Sequence, residues 1–216
     1  MLTMLEEVVL LAVDETSGGL RSTREFGTAY ALVGAVFFDL ALARKIDTGT
    51  EAIHILDKTP TGSATLDRVL AAMAQRGDLT TVRQWIEEIF QWRRDLEGEA
   101  LASLIGQGIL RHELSKRLWI IDVERFPVAD GQTHRDVRVR LAEAILSDTI
   151  PETRDIMLVS IAEACGLLEY VLTRAQLAAR RDRIQTLCHL ETISRTVTHA
   201  VLGLHATLRP GIPKMM

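Results

Sequence analysis

The longest apolar stretch of the chain runs over residues 26–43, and it must be assigned either to a membrane span or to a buried helix. Its length is about the minimum that crosses a bilayer. Asp39 lies near its end, and Gly27 and Gly34 dilute its apolar character. A helix that is apolar on nearly every side is also what the centre of a helical bundle requires. The sequence therefore predicts a helix over 26–44 that is buried within a globular domain.

The chain opens with a second helix signal. Thr3 is followed three residues later by Glu6, the spacing of a capping box, and an apolar run follows directly. Glu6 and Glu7 are neighbours in sequence and so diverge around a helix, as do Glu87 and Glu88. We interpret these adjacent acids as solvated helix faces rather than as acid and base catalysts.

Hydrophobic periodicity and turn residues divide the remainder into helices and two hairpins. Helices are predicted over 66–76, 78–92, 96–107, 133–146, 151–164, 167–183 and 184–204. One hairpin is predicted over 45–56, and a second pairs 109–113 with 118–123 around a turn at 114–116. The predicted fold is mostly α: a single-domain bundle over 1–209 with a buried central helix, amphipathic helices around it, short β-hairpins and a flexible tail over 210–216.

The charge and cysteine content narrow the class of function. A formal net charge of -4 and a pI near 5.9 argue against a protein that coats nucleic acid, since such affinity comes mainly from Lys and Arg on phosphates. Any anion site must therefore be local. Cys165 and Cys188 have no CxxC spacing, and no signal peptide is recognisable, which predicts a cytoplasmic protein with reduced, buried thiols.

No catalytic or metal-binding motif is present in the sequence. The histidines are scattered, at His54, His112, His134, His189, His199 and His205. His189 lies beside Cys188 and Glu191, but neighbours on a helix point to different faces. There is no GxSxG elbow, no P-loop and no GxGxxG after a strand. We expect no enzymatic activity, no metal, no cofactor and no small-molecule substrate.

Arginine clusters are the better candidates for binding chemistry. Arg21 and Arg24 precede the central helix, and Arg93 and Arg94 follow Trp92. Guanidinium groups suit phosphate monoesters, and an adjacent indole can lie against an inositol ring or the headgroup layer of a membrane. A third cluster lies at Arg180, Arg181 and Arg183. Each cluster is equally compatible with an ordinary solvated helix surface, because acidic residues lie nearby.

The second predicted hairpin carries an apolar group, Trp119, Ile120 and Ile121, flanked by Lys116 and Arg117. Apolar side chains that enter the bilayer interface while cations meet anionic lipid would form a shallow membrane wedge. A half-buried strand packed on the bundle explains the same pattern.

Several short motifs of the chain follow one another in the order and at the spacing that a known family shows. They are the opening helix, Leu40-Ala41-Leu42, Pro60-Thr61-Gly62 with Leu66-Asp67, Gln84-Trp85-Ile86, Gly108-Ile109-Leu110 and the segment 162–168. Together they resemble the Golgi phosphoprotein 3 family of phosphoinositide-binding peripheral membrane proteins, over nearly the whole chain. The resemblance implies a single mostly helical domain with a projecting hairpin used for membrane contact or self-association. Because the long charged N-terminal tail of eukaryotic members is lacking, a bacterial member is expected.

The resemblance also implies a headgroup site. Members that bind phosphatidylinositol 4-phosphate use a Trp, an Arg nine residues later, and two basic residues three apart. These positions correspond here to Arg24, Val33, Arg94 and Glu97, of which only Arg94 keeps the family's residue type. With Arg93 and Trp92 adjacent, the predicted headgroup-binding set is Arg24, Arg93, Arg94 and Trp92, and the predicted membrane-contacting set is Trp119, Ile120 and Ile121.

Two functions follow from these patterns. The first is a non-enzymatic protein, cytoplasmic and peripherally membrane-associated, that binds anionic phospholipid headgroups and by resemblance phosphatidylinositol 4-phosphate. The alternative is a winged-helix DNA-binding module, with residues 96–107 as recognition helix and the second hairpin as wing. Glu97 and Glu99, with no basic residue inside that helix, weigh against the alternative.

Overall fold

Helices make up most of the chain. The structure, a computed structural model, describes residues 1–21, 26–48, 52–77, 79–117 and 121–207. Its α-helices are α1 Met4–Ala12, α2 Gly27–Leu42, α3 Ala64–Gln75, α4 Val82–Phe90, α5 Arg93–Gly106, α6 Gly131–Leu146, α7 Thr153–Cys165, α8 Arg174–Ala179, α9 Arg181–Leu190 and α10 Thr192–Thr207. The strands are β1 Ile46–Thr48, β2 Ile53–Ile55, β3 Glu113–Arg117 and β4 Ile121–Arg125. The mostly helical prediction is confirmed, and the predicted tail at 210–216 lies outside the described residues.

Helix α2 forms the centre of the bundle, as the sequence predicts. The side chains of Leu32, Phe37 and Leu40 are fully buried. Gly34 lets α7 approach closely, since a Cβ atom at this position would lie 2.6 Å from Cδ1 of Ile161. Within the described ranges, no helix combines the length and the apolar character needed to cross a bilayer. The apolar stretch is thus accounted for by burial against α1, α7 and the helices around them.

Asp39, near the end of α2, fixes the start of α1. Its Oδ1 accepts a hydrogen bond from the backbone N–H of Met4 at 2.9 Å, and its Oδ2 accepts one from Leu5 at 3.3 Å. Two backbone donors that a helix start leaves unpaired are satisfied in this way. Because the start of α1 meets the end of α2, the two helices run antiparallel. Burial raises the pKa of Asp39 to about 6, although both hydrogen bonds favour the ionised form.

Glu6 is buried, so the prediction that it is solvated is wrong. It completes the predicted capping box, because its Oε2 accepts from the Thr3 N–H at 2.7 Å. Its Oε1 accepts from Ser103 Oγ at 2.6 Å and from Gln107 Nε2 at 2.7 Å, both at the end of α5. Every residue of α1 is buried, so the helix has no outward face on which Glu6 could be solvated.

Glu7 is likewise buried, contrary to the prediction from sequence. Arg140 of α6 lies 2.5 Å from its Oε1, and Arg154 of α7 lies 3.1 Å from its Oε2. Arg140 also pairs with Asp155 at 2.6 Å, and Arg154 donates to the Leu2 carbonyl at 2.7 Å. A buried carboxylate is tolerated when charged partners replace its lost hydration. The partners come from distant parts of the sequence and join α1 to α6 and α7.

The two hairpins differ in how well they were predicted. Strands β1 and β2 pair antiparallel in the register Ile46 to Ile55, as expected. The second hairpin pairs β3 with β4, so the predicted turn at 114–116 is wrong because those residues lie within β3. An additional bridge between Leu110 and Val128 extends the pairing away from the tip. Residues 118–120, which separate β3 from β4 in the sequence, lie outside the described residues.

The last third contains more helix breaks than predicted. The predicted helix over 167–183 is a 3-10 turn at Leu167–Tyr170 followed by α8, which begins at a capping box formed by Thr173 and Gln176. The predicted helix over 184–204 is divided into α9 and α10. Glu191 adopts an extended backbone between them, which ends one helix before the next begins.

The burial of α2 predicts a large stability loss on truncation of its core side chains. Phe37→Ala or Leu40→Ala should lower the free energy of unfolding by roughly 2 to 5 kcal/mol, through lost apolar burial and a residual cavity. Chemical denaturation measures this value. Leu114→Ala, at a side chain 69% exposed, is the control and should change it by less than about 0.5 kcal/mol. Near-wild-type stability of both core variants would contradict the burial of α2.

The raised pKa of Asp39 predicts a pH dependence of stability. The folded protein binds this proton more tightly than the unfolded chain, so the stabilisation is complete below about pH 4 and is lost as the pH rises through about 6. Relative to Asp39→Asn, the wild-type free energy of unfolding should fall by roughly 1 kcal/mol between pH 5 and pH 7.5. Urea titrations of both proteins give the difference, and one that stays flat or rises with pH would contradict the assignment.

Candidate functional site

An open groove lies at the end of the α1–α2 pair opposite Asp39. Here the chain leaves α1, enters α2, and begins α5 nearby. The groove encloses about 540 Å³ and is lined by Leu20, Arg21, Phe26, Thr28, Ala29, Arg93, Arg94 and Glu97. We call it the headland groove; it combines apolar, hydroxyl and guanidinium groups within one concave surface.

Two helix N-termini converge on the headland groove. Helix α2 begins after Phe26 and α5 begins after Trp92, and neither of these side chains caps the first backbone N–H groups. Thr28 and Ala29 in the first turn of α2 line the groove together with the first residues of α5. The positive ends of two helix dipoles favour an anion at such a position.

The arginines of the headland groove differ in whether their guanidinium groups already contact other protein groups. Arg21 is held by Asp14, whose Oδ2 accepts from its Nε at 2.9 Å and from its Nη2 at 2.6 Å. Arg93 donates from Nη1 to the Phe90 carbonyl at 3.1 Å, and its guanidinium lies 4.6 Å from the centre of the Phe90 ring. Arg94 is exposed and forms no ion pair within the described part of the chain. Arg94 is therefore the guanidinium most available to an incoming anion.

Glu97 brings a carboxylate into the same groove, one turn along α5 from the arginines. Burial raises the pKa of this carboxyl group, and the nearby Arg94 guanidinium partly offsets that rise. An ionised Glu97 repels a bound anion. The groove therefore binds an anion more weakly than it would with its arginines alone.

Phe26 supplies an aromatic ring beside these charges. Its backbone φ is 64°, in the left-handed region that non-glycine residues rarely adopt, and the side chain is 53% exposed. Its ring meets Phe90 edge to face at 5.8 Å, and Phe90 stacks on Tyr30 at 4.4 Å. Strained backbone often marks functional sites. The sequence does not identify Phe26 as a groove residue, because its strained backbone cannot be distinguished there from the start of an apolar helix.

The predicted headgroup residues are only partly brought together. Arg93 and Arg94 line the groove side by side. Arg24 lies outside the described residues, between two segments that line the groove. Trp92 does not line the groove; its ring packs under Arg68, with 5.3 Å between the guanidinium carbon and the ring centre. Val33, which the resemblance aligned with a headgroup position, is fully buried in α2.

The predicted membrane-contacting residues belong to the β3–β4 hairpin. Trp119 and Ile120 lie outside the described residues. Ile121 begins β4, where its backbone pairs with Arg117. The described part of the hairpin is a two-stranded antiparallel ribbon, and the Leu110–Val128 bridge extends it.

The third arginine cluster has a structural role. Arg180 pairs with Asp148 at 2.9 Å and donates to the Leu146 carbonyl. Arg183 donates to the carbonyls of Ala144 and Thr149. These bonds tie α8 and α9 to the end of α6. Over the described ranges, no group of three or more His, Cys, Asp or Glu side chains is placed to hold a metal ion.

Comparison with known proteins gives two matches. The sequence profile of the family described as Golgi phosphoprotein 3 (GPP34) matches residues 4–203. The vacuolar protein sorting-associated protein 74 of Eremothecium gossypii is 27% identical over 217 aligned residues, which cover 84% of this chain and 64% of that relative. The chain thus spans less than two thirds of the relative's length. The matched region includes every residue that lines the headland groove.

The position of Glu97 predicts that its removal strengthens anion binding. Glu97→Gln should bind pyrophosphate roughly fivefold more tightly at pH 7.5, because a repelling charge leaves the groove. Calorimetric titration measures the affinity. Glu143→Gln, on the exposed face of α6, is the matched control and should leave it unchanged. Equal or weaker binding by Glu97→Gln would argue that the anion binds elsewhere.

Proposed function

Because the chain belongs to the Golgi phosphoprotein 3 family, we propose that it is a non-enzymatic peripheral membrane protein that binds anionic phospholipid headgroups in the headland groove. The observation that carries this proposal is the convergence of two helix N-termini with Arg93 and Arg94 at one groove. A phosphate monoester needs several hydrogen-bond donors and positive charge at one place, and this groove supplies both.

The headgroup phosphate would accept hydrogen bonds from the first N–H groups of α2 and α5 and from Arg94. A guanidinium can donate two parallel hydrogen bonds to one phosphate, which fixes its orientation as well as its position. Arg93 keeps donor capacity beyond its one bond to Phe90. Phosphatidylinositol 4-phosphate is the ligand that the family resemblance implies. Buried Val33 and acidic Glu97 support a binding mode that relies on Arg94 and the helix ends.

Membrane contact would come from two apolar features. Phe26 presents an exposed ring at the headland groove, where it can enter the interface beside a bound headgroup. The second feature is Trp119, Ile120 and Ile121, which lead into β4 in the sequence, and the family resemblance implies that this hairpin serves membrane contact or self-association. We propose that the protein acts at the cytoplasmic surface of a membrane, with anionic lipid as its partner.

The winged-helix alternative gains no support from the geometry. Helix α5, its recognition helix, buries Leu96, Leu101 and Leu104 in the core. Its outward side carries Glu99, which pairs with Arg68 at 2.9 Å. A helix with this face has few side chains that could reach base edges in a DNA groove.

The lipid proposal predicts a selective loss of vesicle binding. Arg94→Ser should bind phosphatidylcholine vesicles containing phosphatidylinositol 4-phosphate about tenfold more weakly than the wild type, since the free guanidinium is lost. Cosedimentation measures the bound fraction. Arg174→Ser, at an exposed arginine on α8, is the matched control. Binding of the wild type should also weaken in about 1 M salt, where the Debye length is about 3 Å.

The same assay includes the results that would reject the proposal. Equal binding by Arg94→Ser and the wild type would remove the headland groove from lipid recognition. No binding by the wild type to vesicles with phosphatidylinositol 4-phosphate or with phosphatidylserine would reject the membrane role itself.

A further inference from the structure

We propose that a second groove, between α4 and α10, binds small amphiphiles that carry a phosphate or comparable anionic group on an apolar body. This groove encloses about 610 Å³, within the usual range of small-molecule sites. It is lined by Thr81, Val82, Arg83, His189, Arg195, Thr196, His199, Ala200 and Gly203. We call it the α4–α10 groove.

Among the residues that the structure describes, every ionisable side chain that lines the α4–α10 groove is basic. These side chains are Arg83 from α4, His189 from α9, and Arg195 and His199 from α10. The chain as a whole carries a formal charge of -4, so this grouping runs against the average of its surface. The headland groove, by comparison, contains the carboxylate of Glu97. The α4–α10 groove is therefore suited to an anion, and none of its described lining residues is acidic.

Three residues of α10 form one wall of the α4–α10 groove. Arg195, His199 and Gly203 follow one another at intervals of four residues and so share one face of the helix. Gly203 keeps that wall open, since a Cβ atom there would meet only Nη1 of Arg83, at 3.8 Å. Arg83 is oriented by Glu87, which accepts from its Nε at 3.2 Å. Nη1 of Arg83 therefore lies beside Gly203, on the face of α10 that carries Arg195 and His199.

The apolar residues that line the groove favour a ligand with an apolar body as well as an anionic group. Val82, Ala200 and Gly203 present aliphatic or bare backbone surface between the basic side chains. An inorganic anion would leave this surface wet, and an uncharged apolar compound would leave the basic groups without a partner. A ligand that has both parts satisfies both surfaces at once.

The α4–α10 groove is separate from the headland groove. Arg83 lies in the first turn of α4, whereas Arg93 and Arg94 follow the end of that helix. At 1.5 Å per residue, α4 separates the two sites by about 10 Å or more. The inference therefore does not depend on the proposed lipid function, and each groove can be altered without the other.

The first test is calorimetric titration of the full chain with 1-naphthyl phosphate, which has an aromatic body and one phosphate. Inorganic phosphate and 1-naphthol are the matched half-ligands. We expect 1-naphthyl phosphate to bind about tenfold or more tightly than either half-ligand. Equal affinity for inorganic phosphate would reduce the groove to a nonspecific anion surface, and no binding of 1-naphthyl phosphate would overturn the proposal.

Gly203→Leu assigns the binding to this groove. The leucine side chain fills the space beside Arg83 and should weaken 1-naphthyl phosphate binding about tenfold or more. Replacing a glycine inside a helix favours folding, so loss of binding together with an unchanged or raised melting temperature cannot be ascribed to unfolding. Gly98→Leu, at a helical glycine with open space around it, is the matched control. Unchanged binding by Gly203→Leu would overturn the assignment.

A charge variant and a lipid arm complete the test. Arg195→Gln with His199→Gln should weaken binding of 1-naphthyl phosphate, whereas Arg174→Ser, at an exposed arginine on α8, should not. Lysophosphatidate in neutral vesicles offers the same chemistry from a membrane. Vesicle binding that falls with Gly203→Leu indicates a lipid source, and binding of 1-naphthyl phosphate alone indicates a soluble one. If Arg94→Ser abolishes binding of 1-naphthyl phosphate, the ligand occupies the headland groove and the proposal is wrong.

Discussion

The antiparallel packing of α1 against α2 is the contact on which the rest of the structure depends. Both helices are buried along most of their length, so the other helices assemble around this pair. At one end, Asp39 caps α1, and Glu6 and Glu7 bind side chains of α5, α6 and α7. Burying charged groups costs solvation free energy that their partners largely offset. These contacts therefore fix how the helices are arranged more than they add stability.

The opposite end of the pair is left open, and this is where the headland groove forms. Side chains cap α1, α3, α4, α6 and α8, whereas α2 and α5 begin at the groove without such caps. Helices α7 and α9 also lack a side-chain cap, but they begin away from it. An N-cap typically contributes about 1 kcal/mol. Phe26 and Trp92 make no such contribution at the starts of α2 and α5, and Phe26 also has a left-handed backbone. Both features lie at a site that is suited to an anion.

Most of the correct predictions depend on local sequence patterns. The capping box of Thr3, the burial of α2 and the β1–β2 hairpin depend on residues close together in the chain. The errors arose where distant residues decide the outcome. Glu6 and Glu7 are buried because partners about a hundred residues away surround them. Arg93 and Arg94 were found from their type, whereas Phe26 became visible only through its backbone conformation.

The central claim is that an anion binds at the N-terminal starts of α2 and α5. Nuclear magnetic resonance titration of the 15N-labelled chain with glycerophosphoinositol 4-phosphate tests it most directly. The account predicts that the largest amide shifts occur at Thr28, Ala29, Arg93 and Arg94, because their N–H groups lie in the first turns that line the groove. Shifts confined to other surfaces, with these amides unmoved at saturation, would contradict it.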